Sequence, residues 1–302
     1  MGATGQTHVM SNGYAILPMD PADESPVLIP PVQRWRTVVA CLSVIGAALL
    51  NNFAIAFIHD RVPRNTSPLP DLFFTFFPEI PWTIRLAECS LSVLTVLAFL
   101  LFACHCHAWI LIRRVVFIAA IAYSLRALAV PVPSSHTYCA PASPSPSAGL
   151  VVSRALRVFA SFGLEFAYPR ILCGDLIVSG HTISLVLIWH SVGQYLPRRL
   201  AFIGTAYSLL VPASLCCILL ARKHYCLDVL LAYYLTSRLF WLYHGILERG
   251  KGGESVLSQV FWFRGLLWME QDAPEWNVWQ NRLLPPAWLP SFLAHFLDNG
   301  RP

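Results

Sequence analysis

Two histidines and one aspartate define the chemistry open to this chain. His181 lies near the end of "CGDLIVSGHT", Cys173 to Thr182; His224 opens "HYCLDV", and Asp228 follows it by four residues. That spacing places two side chains on one helical face, where a carboxylate can orient an imidazole and stabilise its charge. Such a set suits transfer of a phosphoryl group by a covalent route. His224, held by Asp228, would attack phosphorus, while His181 would protonate the departing oxygen and later deprotonate the incoming alcohol. Ser179, Gly180 and the N–H groups at the start of the helix after them would face the phosphate, because a helix N-terminus favours anions. Arg222 and Lys223 add positive charge just before His224, and the acidic Glu88 and Asp175 are expected on the same face. No cofactor and no metal are expected, since the nine cysteines are scattered without ligand spacing.

The elements that must position these groups are apolar. Between His181 and His224 lie two apolar runs, Ile183 to Leu196 and Ala201 to Leu220, separated by Pro197, Arg198 and Arg199. If both cross a bilayer, the chain goes over and returns, and the histidines meet at one membrane face. The whole composition agrees: of 302 residues 56% are hydrophobic and 12% charged, against about 25% charged in soluble domains. Mean hydropathy is +0.57. A net charge of +5 with only two lysines, Lys223 and Lys251, gives no basic stripe and argues against nucleic acid as a partner.

Six runs are long enough to be helical spans: Val38 to Ile58, Ile84 to Cys104, Val115 to Val132, one starting at Ser179 to Thr182, Ala201 to Leu220, and Tyr225 to His244. Asn51 and Asn52 in the first should face other helices, and Arg126 should be buried near the far end of the third. A Pro-rich loop, His59 to Pro81, carries Phe73, Phe74, Phe76 and Phe77, which suit a membrane interface. Prolines exclude a helix in "APASPSPSAG", Ala140 to Gly149, and Val151 to Phe162 could form a short interfacial helix. The expected fold class is therefore all-α and integral to the membrane: a six-helix transmembrane bundle over 37–246 with its active site on the lumenal face. A flexible cytosolic tail, 1–36, would precede it. A cytosolic, interfacial C-terminal tail, 247–302, would follow, rich in tryptophan and free of cysteine.

Orientation follows from the arginines. Arg34 and Arg36, Arg113 and Arg114, Arg198 and Arg199, and Arg249 with Lys251 flank one set of helix ends, which the positive-inside rule makes cytosolic. The histidine face is then lumenal or extracellular, although Arg61, Arg64, Arg222 and Lys223 run locally against the bias. Other features have plainer readings. His190 and His244 suit structural roles, and Arg238 a snorkelling anchor at the cytosolic end of the sixth span. Asn65-Thr66-Ser67 is a glycosylation sequon. Cys139 and Cys173 share the oxidising side, where a disulfide could form, but the sequence does not set their separation.

The segments Cys173 to Thr182 and "HYCLDVLLAYYLTSRLFWLYH", His224 to His244, closely resemble the two signature motifs of sphingomyelin synthases and their ceramide phosphoethanolamine synthase relatives. "PLPDLFF", Pro68 to Phe74, resembles a third family motif, and "WFR", Trp262 to Arg264, part of the family's cytosolic tail. The resemblance implies a six-span transferase that moves a phospho-head-group from a glycerophospholipid to the primary hydroxyl of ceramide and releases diacylglycerol. Phosphatidylcholine or phosphatidylethanolamine would be the donor, and the Golgi membrane the expected compartment, with the plasma membrane and endoplasmic reticulum open. His181, His224 and Asp228 fall on the family's catalytic triad, and Glu88 and Asp175 on acidic positions near it. The wider superfamily of lipid phosphate phosphatases shares "SGH" and "H-x-x-x-D" but adds a Lys/Arg-rich motif that is missing here. A phosphomonoester with nearly two negative charges wants that clamp; a zwitterionic diester does not, which favours diester transfer.

Overall fold

In the computed structural model, the described residues are 32–61, 70–131, 147–164, 177–248, 262–274, 279 and 281–284, with the backbone of three two-residue strands. Those strands, β1 (His8–Val9), β2 (Ala15–Ile16) and β3 (Leu28–Ile29), pair antiparallel in the order β1-β2-β3. Beside an isolated antiparallel bridge between His105 and Leu283, the other regular elements among the described residues are helical: α1 (Arg34–Ile58), α2 (Leu72–Phe76), α3 (Thr83–Ala103), α4 (Ala108–Ala129), α5 (Ala148–Ala160), α6 (Gly180–Tyr195), α7 (Ala201–Leu220), α8 (Cys226–Glu248) and α9 (Phe263–Met269). Asp175, the Asn65 sequon, Cys139 and Cys173 lie outside the described residues.

Among the described residues, four stretches are long and apolar enough to cross a membrane: α1, α3, α4 and Arg198–Leu220. Among the expected six, α6 is short, with 16 residues, about 24 Å against a hydrocarbon core of about 30 Å. The other, α8, carries Asp228, Arg238 and His244 along its 23 residues. The outer helices keep apolar side chains exposed, among them Leu42, Val96, Leu209 and Leu230, as helices that are hydrophobic all round do in lipid. Short α6 is the centre of the bundle. It packs against α3, α4, α7 and α8 and buries Ile183, Leu185, Val186 and Val192. The helix expected at Val151 to Phe162 is α5; it buries Val151 and Ala155 against Ala56 of α1 and is pinned by the Arg154–Asp60 ion pair at 2.5 Å.

Two helix starts differ from expectation. The first long helix begins at Arg34 rather than at Val38, so Arg34 and the buried Arg36 belong to α1 and not to a preceding tail. The third long helix begins at Ala108 rather than near Val115, so Arg113 and Arg114 are not loop residues but fully buried side chains inside α4. Charges so buried must be paired, and the chain beyond α9 supplies the partners. Arg114 Nη2 meets Glu270 Oε2 at 2.7 Å, and Arg113 Nη2 meets Asp272 Oδ1 at 2.8 Å. Tyr243 donates to Glu270 Oε1 at 2.6 Å, and Arg36 donates to the Trp268 carbonyl and to Gln271. The segment after α9 is thereby fastened beneath α1, α4 and α8, with Trp262 buried in the main core. Arg238 sits near the middle of α8, exposed, over the Tyr234 ring at 5.1 Å, and not at the helix end.

Candidate active site

Two helix N-termini converge at the end of the bundle opposite the Arg113–Arg114 cluster. The first belongs to α6. Ser179 is its N-cap, and its hydroxyl accepts the Thr182 N–H at 3.4 Å; Gly180 and His181 are the first two helical residues. The second belongs to α8, where Tyr225 precedes the helix and Asp228 Oδ2 accepts the Tyr225 N–H at 2.8 Å. This is the return half of a capping box, with a carboxylate at the third helical position bonding back to the capping residue. The two N-termini are joined directly, since the Ser179 N–H donates to the Asp228 carbonyl at 3.4 Å.

This junction brings the two imidazoles together. The ring centroids of His181 and His224 are 6.3 Å apart. His224 is buried, as is Asp228, and His181 is partly open. His224 precedes α8 by two residues, so its four-residue separation from Asp228 spans a turn and a helix start, not a helical face. From α3, the fully buried Glu88 places Oε1 3.6 Å from His181 Nε2, within ion-pair reach of a protonated imidazole.

The preceding turn explains how His224 is presented. Helix α7 ends in paired bonds, Arg222 N–H to Leu219 O at 2.9 Å and Lys223 N–H to Ile218 O at 3.4 Å. This is a Schellman motif, whose left-handed residue is usually glycine. Here it is Arg222, at φ 50°. Its guanidinium lies over the Phe74 ring at 5.2 Å and reaches the Phe74 carbonyl at 3.5 Å. Lys223 is partly buried beside it.

Four residues around the site are not among the catalytic or binding residues read from the sequence. Arg126 of α4 is buried; its Nε donates to the Val178 carbonyl at 2.6 Å and its Nη1 to Asn51 Oδ1 at 2.6 Å. Tyr123, one turn earlier, donates to the Gly180 carbonyl at 3.1 Å. Asn51 is the inward-facing asparagine expected in the first span. Asp71, inside the "PLPDLFF" run, accepts the Cys226 N–H at 2.7 Å. An arginine in an otherwise apolar span is the signal that marks Arg126. His190 and His244 are elsewhere: His190 Nε2 contacts Ser237 Oγ at 2.9 Å, while His244 lies between Tyr195 Oη and the Phe240 carbonyl.

Residues 172–245, which contain both histidines and Asp228, match the PAP2 superfamily C-terminal family. The chain is 46% identical over 251 residues to Sphingomyelin synthase-related 2 of Caenorhabditis elegans, covering 80% of this chain and 76% of that protein. It is 34% identical to Phosphatidylcholine:ceramide cholinephosphotransferase 2 of C. elegans, covering 80% and 75%, and 32% identical to the human protein of that name, covering 80% and 69%. The match over residues 172–245 and these relatives place the chain in the lipid phosphate phosphatase-like superfamily. Within it, the chain belongs to the sphingomyelin synthase family.

Proposed function

We propose that the protein is a sphingomyelin synthase, transferring phosphocholine from phosphatidylcholine to the primary hydroxyl of ceramide and releasing diacylglycerol. The observation that carries this reading is the 6.3 Å separation of the His181 and His224 rings, which leaves room for one phosphorus between them. His224 attacks phosphorus, the bond to the diacylglycerol oxygen breaks, and His181 delivers the proton that oxygen needs. The phosphocholine rests on His224 until the ceramide hydroxyl, giving its proton to His181, attacks in turn and frees the imidazole. Asp228 supports His224, and Glu88 backs His181. Asp175 would join them from the Cys173 to Thr182 motif. Ser179, Gly180 and the N–H groups opening α6 face the phosphate oxygens.

Six membrane crossings, with the arginine-rich end cytosolic, would put this site on the lumenal side, and donor lipid would arrive laterally from that leaflet. The Golgi is the compartment that fits a ceramide-consuming transferase. Phosphoethanolamine is the second reading, because the motifs resemble those of ceramide phosphoethanolamine synthases as well and the relative at 46% identity has a name that gives no donor head group. The test is expression in cells lacking the activity, with fluorescent ceramide supplied and the product head group read by mass spectrometry. Sphingomyelin that vanishes with His224→Ala at equal protein level is expected. A phosphoethanolamine product replaces the donor assignment, and product that persists in the variant removes the mechanism.

A further inference from the structure

The turn that carries His224 is held from an element with no assigned part in the reaction. Asp71 precedes the five-residue helix α2, and its Oδ1 accepts the Phe73 N–H at 2.8 Å, an ordinary N-cap. A cap needs one oxygen. The other, Oδ2, accepts the Cys226 N–H at 2.7 Å, 155 positions away in sequence. Cys226 opens α8, and the amide before it, Tyr225 N–H, is the one Asp228 accepts. Two consecutive amides directly after His224 are therefore each held by a carboxylate, one from α8 itself and one from the α2 loop.

The same loop holds the other side of the turn. Phe74 receives the Arg222 guanidinium and lies 5.5 Å from the Tyr225 ring, while the Ile80 N–H donates to Leu220 O at 2.8 Å. Burial acts to raise the Asp71 pKa, but the N–H donors of Cys226, Phe73 and Phe74 outweigh it and hold the carboxyl below its ordinary value.

We propose that Asp71 is a positioning residue for His224: one carboxylate, shared between the N-termini of α2 and α8, fixes the turn from which the imidazole projects. The role assigned to His224 rests on the transferase reading above. Asp71 acts through the backbone, so its loss should misplace the nucleophile without weakening lipid binding, and displacements of about 1 Å cost up to about a hundredfold in rate.

The discriminating variant is Asp71→Ser. Serine caps α2 as well as aspartate does, but its single hydroxyl cannot also reach Cys226. With full-length protein in detergent micelles, kcat should fall at least about tenfold while KM for ceramide stays within about twofold. Hydrogen exchange should quicken in the peptide spanning residues 224–231 and nowhere else, with the thermal midpoint retained. Wild-type kcat, a loss carried by KM or by the folded fraction, or unchanged exchange at 224–231 would overturn the proposal. Asp71→Asn, which keeps length and loses one acceptor, repeats the test if serine destabilises the chain. Failure of both variants to fold would assign Asp71 to folding and also overturn it. Absence of transfer by the wild type with every donor would sink the transferase reading instead, and the exchange comparison would still decide whether Asp71 holds the turn.

Discussion

Arg126 Nε donates across 2.6 Å to the carbonyl of Val178, and Val178 has a φ of 61°. A β-branched residue in the left-handed region costs about 1–3 kcal/mol and persists only where its surroundings over-determine it. The surroundings here are the Arg126 fork, with its other arm on Asn51 and its plane against Gly180, where an added Cβ would lie 3.4 Å from Cζ. The strained residue immediately precedes the Ser179 cap, so the fork sets where α6 and His181 begin. Arg126→Lys keeps the charge but loses the two-armed geometry. It should leave a folded, membrane-inserted protein whose transfer rate is down about tenfold or more. Wild-type turnover by the purified lysine variant would refute that role.

Arg222 separates backbone need from side-chain need. Its left-handed conformation at the end of α7 costs a non-glycine residue about 1–2 kcal/mol, whereas its guanidinium–Phe74 contact returns about 0.5–1 kcal/mol. Arg222→Gly should therefore unfold at the wild-type temperature or slightly above, with transfer reduced several-fold through loss of the guanidinium–Phe74 contact that braces the turn before His224. Thermal unfolding and turnover of the same preparation check both halves, and a variant that is fully active removes Arg222 from the site.

Much of this was legible in local pattern. The apolar runs mark α3 to within a residue and α7 at both ends, and the two histidine motifs fall on adjoining helix starts. What was not legible is the long-range pairing. Arg113 and Arg114 read as charges outside a span because nothing nearby neutralises them. Their partners Asp272 and Glu270 lie 159 and 156 positions on. Asp71 and Cys226 are similarly remote. Arg126 stood out as a buried cation, yet its acceptor is a backbone carbonyl that no sequence pattern announces. The four-residue spacing of His224 and Asp228 joined the right residues for a different geometric reason: a cap bond, not a helical face.

The Arg114–Glu270 pair is fully buried, and removing one partner strands the other. Glu270→Ala should cost about 3–5 kcal/mol and release the segment after α9, measured as a lower thermal midpoint and faster proteolysis beyond Glu248. Because Tyr243 and Tyr195 also contact this pair, replacing both partners, Arg114→Met with Glu270→Leu, should recover part of the loss and not double it. A double variant that loses the sum of both single effects would contradict the pairing.

The loop between α3 and α4 gives the acid response a direction. His105 and His107 are buried there against Trp279, with ring centroids 5.9 and 4.5 Å from it. Burial, with the neighbouring His107 and Arg114 charges, lowers His105 to about 3, and burial with Arg114 lowers His107 to about 4. Both are neutral when folded near pH 7, whereas unfolded histidine takes a proton near pH 6.5. Between those values the unfolded chain binds more protons, so stability is complete above about pH 6.5 and falls as pH drops, by about 1.4 kcal/mol per unit per group. Glu270, held below its ordinary value chiefly by Arg114 against the opposing effect of burial, loses its contribution only at lower pH. The window from pH 6.5 to 4.5 therefore isolates the histidines. Neither ring nitrogen of His107 has a hydrogen-bond partner among the described residues, so His107→Phe should keep stability at pH 7 and flatten the fall in thermal midpoint across that window. An unchanged slope would place the acid sensitivity elsewhere.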